Sequence, residues 1–321
     1  MRKKKKASFF DTVMAILWAG SLAILIRTFT FEPFHIPSDS MIPNLLVGDH
    51  LFVNKFSYGY SRHSFPFSPP LIRDRIFFTE PERGDVIVFK KLKPPSENYI
   101  KRLIGIPGDR LQMKAGRLYI NGVMVERESL GMYYVLNLPN DDRHEKTITK
   151  RLQNGGILRL ENTKRLYLND EELPRDRFSV YFKRQRDLHP EPIERRLYIE
   201  TLPNGEKHRI IKIADFPADC YEMPYKTEAE RNLQNLCHNS RFSDFDNTVE
   251  YEIPAGHYFM MGDNRDISAD SRHGDVGFVA RRELIGRAAI IFYSHNGSTG
   301  WLEPWRWLAP IRWERLLKWI G

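Results

Sequence analysis

"NYIKRLIGIPGD", residues 98–109, is an apolar, β-branched run closed by Pro107, Gly108 and Asp109, and it reads as a strand. Strand alternation puts Lys101 on one face with Tyr99 and Leu103 and sends Ile100, Arg102 and Ile104 to the other. "DHLFVNKF" (49–56) and "GDVIVFKKL" (84–92) show the same period of two between Gly, Pro or Asp boundaries. A mostly β protein is therefore predicted from Asp49 onward.

Between the first two strands, "YGYSRHSFPFSPPLIRDRIFFTEPERGD" (58–85) reads as a long ordered loop whose phenylalanines rest on the core rather than dip toward lipid. After Asp109 the texture changes to hairpins, with turns at Asn121-Gly122, Asn169-Asp170 and Asn204-Gly205. Residues 111–250 thus form a second, mostly antiparallel β region without a fixed repeat, and 224–247 read as a loop or short helix. "AGHYFMMGDNRDISADSRHGDVGFVARRELIGRAAIIFYS" (255–294) returns to core character: apolar strand, polar turn, apolar strand. The tail, "GWLEPWRWLAPIRWERLLKWIG" (300–321), mixes five tryptophans with Arg and Lys. It reads either as a membrane-interface segment or as a helix capping the soluble body.

At the other end, "MRKKKK" (1–6) precedes an apolar stretch whose uncharged heart is Thr12 to Ile26. A cleaved secretory signal has a similar plan. However, Phe9, Phe10, Phe29 and Phe31 lengthen the apolar character, Arg27 can snorkel, and no small-x-small cleavage triplet follows. An uncleaved anchor is expected, with the lysines cytoplasmic and everything after Phe31 outside. The remainder is water-soluble in character: across 321 residues 28% are charged, and the mean hydropathy of -0.48 excludes a polytopic membrane protein. The net charge of +8 is spread along the chain. With no zinc-finger, RRM or helix-turn-helix pattern, it suits an anionic membrane surface and not nucleic acid. Cys220 and Cys237 are too few for a four-thiolate zinc site. They either pair, closing a loop of about 17 residues for roughly 3 kcal/mol, or stay as buried free thiols.

The chemistry is sought next to the anchor. In "FHIPSDSMIPNLLVGDH" (34–50), Ser38 and Ser40 flank Asp39 on a proline-bracketed turn. A serine needs a base. Of the 10 histidines, His35, His50, His257 and His273 have no persuasive context, and Gly-x-Ser-x-Gly, Ser-x-x-Lys and His-Glu-x-x-His are all missing. What remains is a serine with a distant lysine, whose pKa of about 10.4 must fall by roughly three units, at about 4 kcal/mol, before it can accept a proton. Lys101 has the apolar setting for that, whereas Lys90, Lys91 and Lys93 do not. From pattern alone, any single lysine still reads more readily as a solvated charge.

"IPSDSMIPNLLVGDHLFVNKF", "RGDVIVF", "YIKRLIGIPGD" and "YFMMGDNRDISADSR", in that order behind a basic anchor, resemble the signature boxes of bacterial type I signal peptidases with one anchor. The resemblance covers residues 9 to about 110 and 250–292. It implies a membrane-bound serine endopeptidase with an antiparallel β-sheet catalytic core, an inserted second β domain and one N-terminal transmembrane helix. The expected division is a cytoplasmic tail (1–8), the anchor (9–30), the catalytic core (31–110 and 251–300), the insertion (111–250) and the Trp-rich segment (301–321).

Residue by residue, the resemblance implies Ser40 as nucleophile and Lys101 as base, with the Ser38 hydroxyl and Ser40 N–H as oxyanion hole. Ser268 would orient the lysine, and Asp263, Arg265, Asp270, Arg272 and Arg102 would brace the site. Read on their own, these charged residues would be a surface ion-pair cluster of small weight. Phe34, Ile36, Met41, Leu45, Tyr99 and Ile100 would shape shallow pockets for small residues before the cut. Two positions depart from the pattern: Asp39 stands where glycine is frequent, and Ile267 where asparagine is. Expected partners are exported preproteins with Ala-x-Ala-type signal peptides and membrane lipid, with the export translocon as an admissible neighbour. No cofactor or metal is expected. The location implied is the bacterial inner membrane, with the catalytic body on the extracytoplasmic side. Two rivals stand beside this reading: a specialised peptidase of the same fold serving a secretion apparatus, and a catalytically silent envelope binding protein.

Overall fold

A computed structural model describes residues 9–70, 72–91, 97–139, 147–152, 155–183, 192–216, 244–297 and 311–321. In chain order, helix α1 (Phe9–Phe29) leads into β1 (Phe31–His35), β2 (Asp49–Asn54), β3 (Val86–Lys90), β4 (Asn98–Gly105), β5 (Arg110–Lys114), β6 (Arg117–Ile120) and β7 (Val123–Met124). Next come β8 (Glu126–Pro139), β9 (Thr147–Arg151), β10 (Ile157–Glu161), β11 (Arg165–Leu168), β12 (Glu171–Leu173), β13 (Phe178–Lys183), β14 (Ile193–Thr201) and β15 (Lys207–Lys212). The chain closes with β16 (Tyr251–Glu252), β17 (His257–Met261), β18 (Val279–Ala280), β19 (Leu284–Ser294) and β20 (Lys318–Trp319).

Helix α1 combines apolar helix formers with Asp11 in its first turn and Arg27 in its last, the signs that suit the helix dipole. It is apolar all round, has a mean hydropathy of 2.0, and buries none of its most apolar stretch against protein. Its 21 residues span about 32 Å, long enough to cross a hydrocarbon core. The junction with the body is stapled: Glu32 pairs with Arg27 at 2.5 Å and with the buried Lys55 at 2.7 Å, and the Tyr60 hydroxyl donates to the Phe29 carbonyl at 3.0 Å.

The principal sheet runs β1-β2-β19-β3-β4-β17-β18, with β20 added to β19. Its pairings are antiparallel. Leu51, Val53, Val86, Val88 and Ala288 pack in one apolar cluster with Met41 and Leu45, while Ile87, Phe89, Leu103 and Tyr258 build another. Three four-stranded sheets follow, β16-β5-β6-β7, β13-β8-β14-β15 and β12-β11-β10-β9. The hairpin signals are realised where both turn residues take positive φ, at Asn121 and Gly122 (53° and 80°) and at Asn169 and Asp170 (49° and 70°). Among the described strands the exception to antiparallel pairing is β13, which lies parallel to β8.

Two expectations need correcting. The loop phenylalanines do not all rest on the core: Phe67 and Phe77 are exposed by 104% and 85%. Positive φ at both marks tight turns, and no core pocket receives their rings. Only Phe78 packs against a core cluster. At the other end, residues 311–321 form a short turn and strand β20, not a capping helix. Cys220 and Cys237, as well as Trp301, Trp305 and Trp307, lie outside the described residues.

Candidate active site

The segment that carries the two serines leaves β1 and returns as β2. The Ile36 N–H donates to Asp49 O at 2.8 Å and Gly48 N–H to Ile36 O at 3.0 Å, closing the base of the excursion. Met41, Ile42 and Leu45 are almost wholly buried and fix the turn from below. Ser40 is therefore held rigidly, with Ser38 and Asp39 on the exposed side. Lys101 reaches it from β4. Its Nζ lies 2.7 Å from Ser40 Oγ and donates to Ile100 O at 2.9 Å. Ser38 Oγ lies 3.4 Å from Ser40 Oγ.

Lys101 is only 4% exposed. Burial pushes its pKa down from 10.5 to about 8, against the pull of Asp270, Asp263 and Asp39 in the other direction. A group with that value is about one-tenth neutral at pH 7. An uncharged amine within hydrogen-bond reach of a hydroxyl can act as its general base.

Around this pair the charged residues are buried, not solvated. Arg102 grips both oxygens of Asp263, at 2.9 and 3.0 Å, and donates to Gly84 O at 2.7 Å. Arg272 likewise holds both oxygens of Asp270, at 2.9 and 2.8 Å. Burial raises the Asp270 pKa, but Arg272 and the Gly262 N–H outweigh it and hold the carboxyl below its ordinary value. Arg265 pairs with Glu200 of β14, at 3.0 and 2.5 Å. The reading of these residues as a weak surface cluster is thus overturned: each is 7% exposed or less.

Ser268 is wholly buried, and its Oγ has no hydrogen-bond partner among the described residues, so no such bond joins it to Lys101. Its proximity to the nucleophile shows in Gly262 instead. A Cβ on that glycine would lie 2.2 Å from Ser268 Oγ and 2.6 Å from Ser40 O. Glycine is the residue that permits so close an approach. The Asn264 N–H completes the link by donating to Ser40 O at 3.1 Å.

A cavity of ≈ 330 Å³ opens beside Ser40 and Lys101, lined by Phe34, Ile36, Tyr99 and Ile100 together with Asp39 and Ile267. Met41 and Leu45 do not line it; both belong to the core beneath. The two departures from the resemblance, Asp39 and Ile267, face the cleft. No cluster of His, Cys, Asp or Glu suited to a metal ion occurs among the described residues.

Several structural residues escaped the sequence. Asn44 donates to Asp263 Oδ2 and to Arg209 O, both at 2.7 Å. Arg315 of the tail clasps Asp49 at 3.0 and 2.5 Å, just behind the serine turn. Glu200 and Lys212 reach the site from the second β region. No local pattern announces them, because their partners are remote in sequence.

An apolar helix long enough to cross a membrane, a β body and a hydroxyl 2.7 Å from a buried amine fit the class of membrane-anchored serine hydrolases. The profile of the signal peptidase family, peptidase S26, matches residues 9–176 and 141–293, and the chain belongs to that family. It is similar to the signal peptidase I of Rickettsia conorii, 32% identical over 275 residues that span 85% of this chain and 75% of the relative. The signal peptidase I of Rickettsia typhi is also 32% identical, over 85% of this chain and 76% of its own length. A crystal structure of a signal peptidase I from Enterococcus faecalis aligns at 19% identity over 65% of this chain and 97% of that one, with a TM-score of 0.25, too low to bear on the fold. The protein is accordingly a serine endopeptidase of signal-peptide processing.

Proposed function

We propose that Ser40 is the nucleophile and Lys101 the general base that together remove Ala-x-Ala-type signal peptides from exported preproteins. The observation that carries this reading is the 2.7 Å contact between a hydroxyl and a buried amine. Neutral Lys101 takes the Ser40 proton as Oγ bonds to the scissile carbonyl carbon. Ser38 Oγ and the Ser40 N–H receive the developing oxyanion. The lysine ammonium then passes its proton to the departing amine, and the acyl-enzyme forms. Lys101, neutral again, activates the water that releases the signal peptide. Ser268, beside the nucleophile, orients the amine once substrate is bound, and the Arg102–Asp263 and Arg272–Asp270 pairs keep the loops in register.

Substrate binding follows from the edges on offer. β1 ends the principal sheet, and among the described residues β17 covers β4 only at Arg102, Leu103 and Gly105, leaving the Asn98–Lys101 edge of β4 without a strand on that side. An extended peptide can add its backbone to these free edges. The shallow cavity beside them suits small side chains at the first and third positions before the cut. Helix α1 holds the site about a dozen residues from lipid, where preproteins leave the bilayer and the translocon. The basic N-terminus stays cytoplasmic and the body extracytoplasmic.

The detergent-solubilised protein, incubated with a preprotein bearing an Ala-x-Ala site, is expected to yield a product whose N-terminal sequence begins just after that site. Ser40→Ala and Lys101→Ala are each expected to abolish this. Turnover retained by the lysine variant would remove Lys101 as base; no turnover by the wild type would favour a silent binding protein.

A further inference from the structure

Lys212, at the end of β15, is fully buried among three carboxylates: Asp246 at 2.5 Å, Asp266 at 3.2 Å and Asp215 at 3.8 Å. The mechanism above does not use it. An apolar side chain would fill the same space without the cost of desolvating an ion, whereas a buried pair with fixed geometry imposes one arrangement. What it fixes is the segment that carries Ser268. Asp266 Oδ1 forms an ion pair with Lys212 at 3.2 Å, and its other oxygen accepts from the Ile213 N–H at 2.5 Å. Alongside, the Ile211 N–H donates to Asp263 O and the Arg265 N–H to Ile211 O, both at 3.0 Å. Glu200, on the partner strand of the same hairpin, holds Arg265.

The far side of this stretch faces the chemistry: Asp263 is gripped by Arg102, the neighbour of Lys101, and the Asn264 N–H donates to Ser40 O. One short run of chain thus joins the β14–β15 hairpin to both members of the proposed dyad. We propose that this hairpin is a clamp on the Gly262–Arg272 loop, with Lys212 and Glu200 as positioning residues for the reaction; the proposal rests on the Ser40–Lys101 reading above. The insertion is then part of the catalytic apparatus.

The test measures kcat, KM, thermal midpoint and the acid limb of the kcat/KM–pH profile for the full-length detergent-solubilised protein and for Lys212→Met, Lys212→Arg and Asp266→Asn. Slackening the loop misplaces Ser40 against Lys101 and wets the amine. Lys212→Met and Asp266→Asn are therefore expected to lower kcat by about 10²-fold with KM little changed, and to move the acid limb to higher pH. Lys212→Arg, which keeps the charge, is expected to recover most of both. A fall in thermal midpoint with kcat and acid limb unmoved would overturn the clamp and leave Lys212 a structural filler. If Lys212→Met does not fold, Asp266→Asn, which retains an acceptor for Ile213, decides by the same readouts. An inactive wild type would overturn the reading of the dyad itself, whereas an active wild type with unaffected variants would overturn the positioning role alone.

Discussion

The base proposed for Ser40 must shed its proton to act, and burial lowers the Lys101 pKa toward that while nearby carboxylates resist it. The folded value of about 8 lies below the ordinary 10.5, so between these two values the folded chain binds fewer protons than the unfolded one. Stability therefore rises with pH across that window, and below it the buried charge costs roughly 3 kcal/mol. Lys101→Met is expected to be more stable than wild type at pH 7 by up to about that amount in urea unfolding, with the gain gone at high pH; equal midpoints at pH 7 would contradict this. Ser38→Ala is expected to lower kcat roughly 10²–10³-fold with KM little changed, and an unchanged kcat would remove Ser38 from the oxyanion hole. Gly262→Ala pushes a methyl group into Ser268 and Ser40 O. Activity should fall far more than stability, and full activity in that variant would show that the close approach has no role. Ser40 and Lys101 were legible through the family resemblance, since pattern alone favours a solvated lysine, and the structure places their side chains 2.7 Å apart. Gly262 was not, since its neighbour Ser268 is brought back only by the turn that follows.

At the scale of elements, the loop Gly262–Arg272 is the most charge-dense part of the site and among the most buried. The Arg102–Asp263 pair is its clearest case, with both partners 1% exposed or less. Asp263→Asn leaves a guanidinium buried without its counter-charge. It is expected to cost about 3–5 kcal/mol, measured as a drop in the urea midpoint; a loss under about 1 kcal/mol would mean the pair is solvated. Hydropathy reads "GDNRDISADSR" as surface because its partners, Arg102, Glu200 and Lys212, come from distant strands. The hairpins were readable because Asn-Gly and Asn-Asp act locally, through positive φ at adjacent residues. The parallel pairing of β13 with β8 was not, because nothing in either strand encodes its partner's direction. Phe67 and Phe77 escaped for a related reason: hydrophobicity predicts burial, but the turns that carry them face outward.

On the scale of the whole molecule, the principal sheet, the second β region and the C-terminal tail converge on one serine turn. The Arg315–Asn44 contact from the tail, at 2.9 Å, and the Asn44–Arg209 contact from the second β region both end within that turn. Composition was enough to separate the anchor from the body, whereas these long-range ties depend on tertiary packing. The proposed orientation predicts that proteinase K added to spheroplasts digests the body while a tag at Met1 stays protected; the reverse pattern would invert the topology. The most direct test of the central claim is the pH dependence of kcat/KM for preprotein cleavage. The rate should rise with pH through an acid limb centred at about 8, set by loss of the proton from Lys101, and Lys101→Met should be inactive at every pH. A profile flat from about pH 6 to 9, or turnover by that variant, would contradict a neutral lysine as the base for Ser40.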